Sequence, residues 1–209
     1  MPPGLEALVA FLNTPAFGWG SFGASRAELL GAALGVWMVV CNMRVDPTGW
    51  PLAIVSSALY LLVFWDAKLY GDASLQIVFI AVAGWGWWQW LHGRQQDGSV
   101  LRVRYLGARG RAGALTAFFL LWPALGWLLA SVTDTDVPWW DAFPTAGSLV
   151  GQWLLARKYV ENWPAWIVVN VVSVGLFAYK GLWLTVLLYA LFIAMSVVGW
   201  REWRRIARP

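Results

Sequence analysis

The feature that most constrains this chain is a series of seven apolar stretches, each close to the length of a membrane crossing. A hydrocarbon core of ~30 Å requires roughly 20 apolar residues in a helix. With 60% hydrophobic and only 12% charged residues, the chain is too apolar for a soluble domain of 209 residues. We therefore predict an all-α membrane protein with seven transmembrane helices. The predicted spans are 27–43, 50–65, 73–91, 114–132, 142–156, 163–179 and 182–200.

The segment 1–25 precedes these spans. Its part from Leu5 to Leu12 is apolar except for Glu6, but the run is too short to cross a bilayer and breaks at Pro15. We expect this segment to lie at the membrane interface. It has neither a basic start nor a small-residue cleavage site, so no removable signal peptide is predicted.

An internal repeat relates spans one to three to spans five to seven. When the chain is aligned with itself so that Trp50-Pro51 falls on Trp163-Pro164, the Gly-Trp-x-x-Trp motif that starts at Gly86 falls on the one that starts at Gly199. Because span four adds one crossing, the two three-helix repeats should be parallel, related by a pseudo-two-fold axis along the membrane normal. The predicted segments are an interfacial segment at 1–25, a first repeat at 26–93, a basic loop with a linker helix at 94–138, and a second repeat with a basic tail at 139–209.

The distribution of lysine and arginine predicts the orientation of the chain. Basic residues in short loops resist translocation and remain cytoplasmic. If the N-terminus is outside, twelve of the fifteen basic residues lie inside and only Arg26, Lys68 and Lys180 lie outside. Five arginines in the long polar stretch from Gly93 to Gly113 contribute most to this asymmetry. We therefore predict an external N-terminus and a cytoplasmic C-terminus.

The candidate binding site is the start of span six, which begins Trp163-Pro-Ala-Trp166-Ile-Val-Val-Asn170. At 3.6 residues per turn, Trp163, Trp166 and Asn170 share one helix face. Indole rings can stack on a flat ring and attract a cation, while a carboxamide can donate to and accept from hydroxyls. Alternatively, the indoles anchor the helix at the headgroups and Asn170 bonds a neighbouring helix.

Three further polar residues are candidates for substrate contacts. Gln152 lies inside span five, Glu161 precedes span six, and Gln76 lies in span three. The two glutamines could instead join helices by hydrogen bonds. The second repeat is the more polar and aromatic, because Asn170 aligns with Ser57 and Trp166 with Ala53. We therefore expect the second repeat to make most of the ligand contacts.

Several classes of function are disfavoured by the composition. One cysteine, Cys41, excludes an internal disulfide and a thiolate metal cluster. The net charge of +4 is modest and the basic residues sit in short clusters between apolar runs, so nucleic acid is not expected as a partner. No metal, cofactor or hydrolytic triad is predicted. A small membrane enzyme would need converging titratable groups, and a scaffold would not need an inward aromatic and amide face.

The residues from Arg157 to Asn170, with Trp140-Asp141, Gly181-Leu-Trp183 and the Gly-Trp-x-x-Trp motif, resemble the PnuC family of bacterial vitamin transporters. The family signature is Trp-x-x-Trp-x-x-x-Asn/Asp, which here corresponds to Trp163, Trp166 and Asn170. The resemblance implies a 3+1+3 fold related to the SWEET sugar transporters, a location in the bacterial inner membrane, and facilitated diffusion with trapping by cytoplasmic phosphorylation. It implies nicotinamide riboside as the substrate, with thiamine or riboflavin as alternatives. A homo-oligomer, for example a trimer, is also expected.

Overall fold

The computed structural model describes residues 3–19, 22–66, 70–95, 97–133 and 135–208. These residues form eight α-helices and one antiparallel β-hairpin. The helices are α1 (Pro3–Asn13), α2 (Arg26–Met43), α3 (Gly49–Asp66), α4 (Tyr70–His92), α5 (Ala108–Val132), α6 (Pro138–Ala156), α7 (Asn162–Tyr179) and α8 (Trp183–Ile206). The hairpin consists of β1 (Pro15–Trp19) and β2 (Phe22–Ser25). Apart from this hairpin the prediction of an all-α chain is confirmed, and the residues of the seven predicted spans fall on α2 to α8 in order.

Three of the described helices, α5, α7 and α8, are long and apolar enough to cross a membrane. α2 and α3 contain shorter apolar stretches, Leu29–Met43 and Gly49–Leu62. On α5, Phe119, Leu120 and Trp127 are 60%, 68% and 68% exposed. Such an apolar outer face suits contact with lipid tails, whereas it would be unfavourable in water.

The structure differs from the sequence prediction at several helix ends. Residues 3–13, expected only as an interfacial segment, form the helix α1, and the hairpin that follows was not predicted. α5 begins at Ala108, so the end of the predicted polar loop is helical. α8 continues beyond residue 200 to Ile206, because Arg201, Glu202 and the residues that follow can remain helical outside an apolar layer.

The chain is divided into two compact units. The first comprises Met1–Asn42 and Asp46–Gly84, and the second comprises Met43–Val45 and Trp85–Pro209. In the first unit, α1 packs against α3. In the second unit, α5 packs on α6, α6 on α7, and α7 on α8. In the second unit these four helices therefore pack in chain order, with α7 between α6 and α8.

The internal repeat is also visible in the helix boundaries. α3 runs from Gly49 to Asp66 and α7 from Asn162 to Tyr179, so the two helices have the same length and both of their ends coincide in the repeat alignment. α4 and α8 start at Tyr70 and Trp183, which are likewise equivalent positions of the two repeats. The similarity of the two halves therefore extends from side chains to the positions of the helix ends.

The corners between α2 and α3 and between α6 and α7 share an unusual backbone conformation. Val45 and Lys158, which are equivalent in the repeat, have φ angles of 58° and 55° and are the non-glycine residues with positive φ in the described chain. After each, a main-chain N–H returns to the preceding helix: Asp46 N to Cys41 O at 2.9 Å, and Tyr159 N to Leu154 O at 2.9 Å. A left-handed residue costs free energy in either sequence context. Its retention at both positions shows that the corner geometry is a property of the repeat.

Two equivalent tryptophans, Trp90 and Trp203, make reciprocal contacts. The indole N–H of Trp90 donates to the carbonyl of Leu155 at the end of α6, at 3.1 Å. The indole N–H of Trp203 donates to the carbonyl of Met43 at the end of α2, at 3.2 Å. Their ring centroids are 6.2 Å apart. Each indole thus donates to a carbonyl in the last turn of a helix from the other half of the sequence, and the Leu155 carbonyl also accepts from the Lys158 N–H.

Candidate functional site

The first signature residue, Trp163, lies in the interior of the second unit. It follows the left-handed corner, enters the first turn of α7 and is only 3% exposed. Its ring packs edge-on against Trp203 with a centroid distance of 5.6 Å. A Cβ added at Gly199 would lie 2.5 Å from its ring atoms, so the absence of a side chain at Gly199 allows the indole to approach α8. Trp163 is therefore held by α8 and is not an indole anchor on the protein surface.

The second signature residue, Trp166, faces α6. Its indole lies next to Gly151, where an added Cβ would be 3.2 Å from the ring. One turn further, Val169 contacts Gly147, where the corresponding distance is 2.5 Å. Small residues on one helix allow the neighbouring helix to approach closely. α7 is consequently packed on both sides, by α6 through glycines and by α8 through Gly199.

Asn170 lies on the face of α7 between these two packed sides. Viewed down the axis of α7, Asn170 projects between Trp163, which contacts α8, and Trp166, which contacts α6. The residue is 5% exposed. Within the described residues its side chain makes no hydrogen bond to another protein group, although buried polar groups are normally paired. A hydrogen bond from the Asn170 side chain to a neighbouring helix is therefore not found in the part of the chain described.

An aromatic group lies near the C-terminal end of the same face. Phe177 of α7 is 4.9 Å from Tyr189 of α8, and Tyr189 is 5.7 Å from Phe192, measured between ring centroids. The α7 face thus has indoles at one end, these rings at the other, and Asn170 midway. This arrangement can hold a flat ring and offer it one amide.

The two candidate glutamines have different surroundings. Gln152 of α6 is half-buried, and its carbonyl oxygen is fully buried without a hydrogen-bond partner among the described residues. A buried acceptor in this state needs a ligand or a water molecule. Gln76 is half-buried in the part of α4 that belongs to the first unit.

Glu161 is bonded to protein groups in this structure, and its assignment as a substrate contact stays a prediction. Its carboxylate accepts a hydrogen bond from the backbone N–H of Leu106 at 2.9 Å and pairs with the Arg111 guanidinium at 2.9 Å. Both carboxylate oxygens are therefore engaged by residues that precede or begin α5. Glu161 therefore bonds the chain that leads into α5, whereas Trp163, Trp166 and Asn170 lie along one face of α7.

The basic segment, described at residues 93–95 and 97–107, packs as part of the second unit, although the sequence suggested a polar loop. Leu101, Val103 and Leu106 are buried. Main-chain bonds join Arg104 N to Lys158 O at 3.1 Å and Val160 N to Arg104 O at 3.0 Å. The segment therefore packs directly on the corner between α6 and α7.

Lys158 lies in this corner, under the basic segment. Its ammonium is 4.9 Å from the centre of the Trp90 ring and donates to the carbonyl of Leu101 at 3.3 Å. Burial lowers the pKa of Lys158 from its ordinary value, because desolvation disfavours the charged form. The ring face and the carbonyl both favour the charged form and so oppose this shift.

Two buried serines near Asn170 were missed from the sequence. Ser173 of α7 and Ser196 of α8 are 2% and 3% exposed. Neither side chain makes a hydrogen bond within the described chain, in contrast to Ser131, which donates to Trp127 O at 2.6 Å. The signal that could have identified Ser196 is the spacing on α8 of Tyr189, Phe192, Ser196, Gly199 and Trp203, which places all five on the face toward α7.

Two apolar grooves are separate from this face. One, of about 270 Å³, is lined by Phe119, Trp122, Pro123 and Trp139. The other, of about 300 Å³, lies in the first unit and is lined by Trp37, Thr48, Pro51, Leu52 and Val55. Neither contains a residue of the predicted site, so groove size does not identify the functional position.

Together, apolar helices long enough to cross a membrane and a face of α7 that carries indoles and a carboxamide are features of a helical membrane protein. The profile of the family described as "Nicotinamide mononucleotide transporter" matches residues 25–205. The chain therefore belongs to this transporter family, and the resemblance to PnuC proteins is confirmed.

Individual relatives agree with this assignment. The nicotinamide riboside transporter PnuC of Escherichia coli is 26% identical over 215 residues, which cover 91% of this chain and 90% of the relative. The riboflavin/roseoflavin transporter RibM of Streptomyces davaonensis is 30% identical over 198 residues, with 88% of each chain covered. The crystal structure of the vitamin B3 transporter PnuC has a TM-score of 0.69 at 22% identity and covers 86% of this chain and 81% of that one. At that identity the structural match supports the fold.

Proposed function

We propose that this protein is a membrane transporter that takes up a vitamin precursor, with nicotinamide riboside as the first candidate substrate. Membership of a transporter family supports transport in preference to an enzymatic or scaffolding role. Nicotinamide riboside combines a flat cationic ring with a ribose, so indole faces suit its ring and amides suit its hydroxyls and carboxamide.

The observation that best supports this proposal is the condition of Asn170. A buried carboxamide without a protein partner in the described chain lies between indoles and aromatic rings on one face of α7. Leaving such a group unsatisfied costs about 1–3 kcal/mol. A polar ligand would satisfy it. Gln152, whose carbonyl oxygen is fully buried without a hydrogen-bond partner among the described residues, is proposed as a second contact. Gln76 is retained as a candidate from the first repeat.

Riboflavin is the second candidate substrate, because RibM is the relative with 30% identity. A flavin also presents a flat ring and a chain of hydroxyls, so the same face of α7 could accommodate its chemistry. Thiamine, which carries a cationic ring, is the third candidate. Parallel binding measurements with these three compounds distinguish the candidates.

We propose facilitated diffusion as the mode of transport. The carboxylates of α6 and of the described chain beyond it are each paired near a helix end: Asp141 with Lys180 at 3.0 Å, Glu161 with Arg111, and Glu202 with Arg205 at 3.0 Å. None of them is positioned as a free carboxylate at mid-depth, which a proton relay would require. Phosphorylation of the product in the cytoplasm would then trap it and make uptake net inward.

The proposed architecture has α2 to α8 as seven spans in the bacterial inner membrane, with parallel repeats of α2–α4 and α6–α8 joined by α5. Reciprocal bonding by Trp90 and Trp203 supports this arrangement, since equivalent residues that meet each other are expected near a two-fold axis. The N-terminus is placed outside and α1 at the interface. A homo-oligomer, for example a trimer, completes the proposal.

Purified protein in liposomes provides the direct test. We expect uptake of labelled nicotinamide riboside with the membrane potential clamped at zero, driven by unlabelled substrate inside and independent of an imposed pH or sodium step. The potential is clamped because moving one charge across the membrane changes the free energy of transport by about 2.3 kcal/mol per 100 mV. Accumulation above the outside concentration under a pH or sodium step alone would contradict facilitated diffusion. Failure to bind or transport any of the three vitamins would contradict the proposed function.

A further inference from the structure

We propose that Ser196 of α8 is a specificity-determining residue which, together with Asn170, recognises a hydroxyl on the sugar or sugar-like chain of the substrate. The inference deepens the proposed function and rests on it. It starts from the packing of α8 on α7, which positions Ser196 independently of any sequence motif.

Two side-chain contacts show how α7 and α8 are aligned. Near one end Trp163 meets Gly199, and near the other Phe177 meets Tyr189. Asn170 is midway between the two contact residues on α7, and Ser196 lies between the two on α8. Since both residues also share the helix face that carries these contacts, they are at a similar height between the helices.

Ser196 is buried, and its hydroxyl has no hydrogen bond within the described residues that would occupy it. It is 3% exposed, and a serine within a helix commonly bonds the carbonyl four residues earlier, as Ser131 does here. Ser196 makes no such bond within the described residues, nor does it bond Asn170. If the pair only joined two helices, a hydrogen bond between the side chains would be expected. Both lack a hydrogen bond within the described chain and lie at a similar height, so a hydroxyl and an amide are available to a third group.

The chemistry of this pair selects for hydroxyls. A serine hydroxyl donates once and accepts, and a carboxamide does both, so together they can bond a group that is itself donor and acceptor. A site built to bond a hydroxyl discriminates strongly against an analogue that lacks it, because its own polar groups are then left unpaired. The aromatic rings would bind the base or flavin, and Ser196 would report on the attached chain.

The repeat supplies a conservative substitution. The residue equivalent to Ser196 in the first repeat is Ala83, which is 2% exposed. Alanine is therefore accommodated at this position in a buried helix of the same repeat. We expect Ser196→Ala to fold, and we choose Ser131→Ala, which removes a hydroxyl already bonded within α5, as the matched control.

The test measures binding of nicotinamide riboside and of its 2′-deoxy and 3′-deoxy analogues to purified protein. Ser196→Ala should bind the riboside about five- to fifty-fold more weakly than the parent. It should bind the analogue that lacks the contacted hydroxyl as tightly as the parent does, and Ser131→Ala should match the parent throughout. If the parent prefers riboflavin, the comparison is riboflavin against lumiflavin, which lacks the ribityl chain.

Two results would overturn the assignment of Ser196 while leaving the proposed function intact. One is unchanged affinity of Ser196→Ala for the complete substrate. The other is an equal loss for the substrate and for every analogue, which would indicate a packing role. A parent protein that binds none of the three vitamins would instead reject the proposed function, and this inference with it.

Discussion

The two repeats share a backbone framework but differ in the side chains that they place on it. α3 and α7 have the same length, and both are entered through a left-handed residue. In contrast, Asn170 and Trp166 of the second repeat align with Ser57 and Ala53 of the first. Corner geometry and helix length are therefore maintained by the packing that both repeats need, whereas the polar and aromatic face is specific to the second. This difference is what associates the proposed site with α7.

The largest expected effect concerns the membrane orientation of the two repeats, because each introduced cysteine should be either labelled or not labelled from outside the cell. In a Cys41→Ala background, Thr48→Cys samples the first corner and Ser99→Cys samples the segment that packs on the second. If the repeats are parallel, an impermeant thiol reagent applied to intact cells should label neither, and should label Tyr179→Cys at the opposite end of α7. All three should react after permeabilisation. Labelling of only one corner from outside would indicate inverted repeats.

Asn170→Leu should produce the next largest effect. Leucine suits an apolar helix but removes the amide, so folding should persist while substrate affinity falls about five- to a hundred-fold, equivalent to about 1–3 kcal/mol. Ser57→Leu makes the matched change in the first repeat and should cost less affinity. Titration calorimetry on both variants gives the comparison. Parent-like binding by Asn170→Leu would assign Asn170 to helix packing.

Gly199→Ala tests the contact that positions Trp163. The added methyl would overlap an indole that is already held by Trp203, so we expect a loss of about 1–3 kcal/mol in the free energy of unfolding. Gly175→Ala is the control, because an added Cβ there meets nothing within 4 Å. Thermal or denaturant unfolding in detergent measures both. Equal stability of the two variants would mean that the Trp163 ring can shift freely.

Glu161→Gln should have the smallest effect. It weakens an ion pair whose Arg111 partner is 55% exposed, so screening by solvent limits the loss of stability to about 0.5–1 kcal/mol. Because the carboxylate bonds the basic segment, substrate affinity should stay within about twofold of the parent. Arg111→Gln should reproduce the loss of stability. A large loss of affinity in Glu161→Gln alone would support Glu161 as a ligand residue.

The sequence predicted the helices better than it predicted the connections between them. Long apolar runs identified α2 to α8, since an apolar run of that length has few alternatives to a helix. Residues 93–107 were expected to be a polar loop because five arginines dominate the stretch that contains them. Burial of Leu101 and Val103 depends on a tertiary partner, the corner at Lys158 to Val160, which local periodicity cannot reveal.

The same limit applies to the site. The spacing of Trp163, Trp166 and Asn170 could be read directly, because all three lie on one helix. The engagement of Glu161 could not, since its partners Leu106 and Arg111 are 55 and 50 residues away. Ser196 resembles any serine in an apolar helix until α8 is packed on α7. Residues whose roles depend on a second helix therefore remained outside the sequence prediction.

The bond from Trp203 to the carbonyl of Met43 has a consequence for biosynthesis. These two residues are 160 positions apart, and the carbonyl is one of those that the last turn of α2 leaves without an intrahelical donor. During synthesis, the indole donor of Trp203 becomes available to this carbonyl only when almost the whole polypeptide has been made. The end of α2 therefore gains this hydrogen bond only after the second repeat has been synthesised.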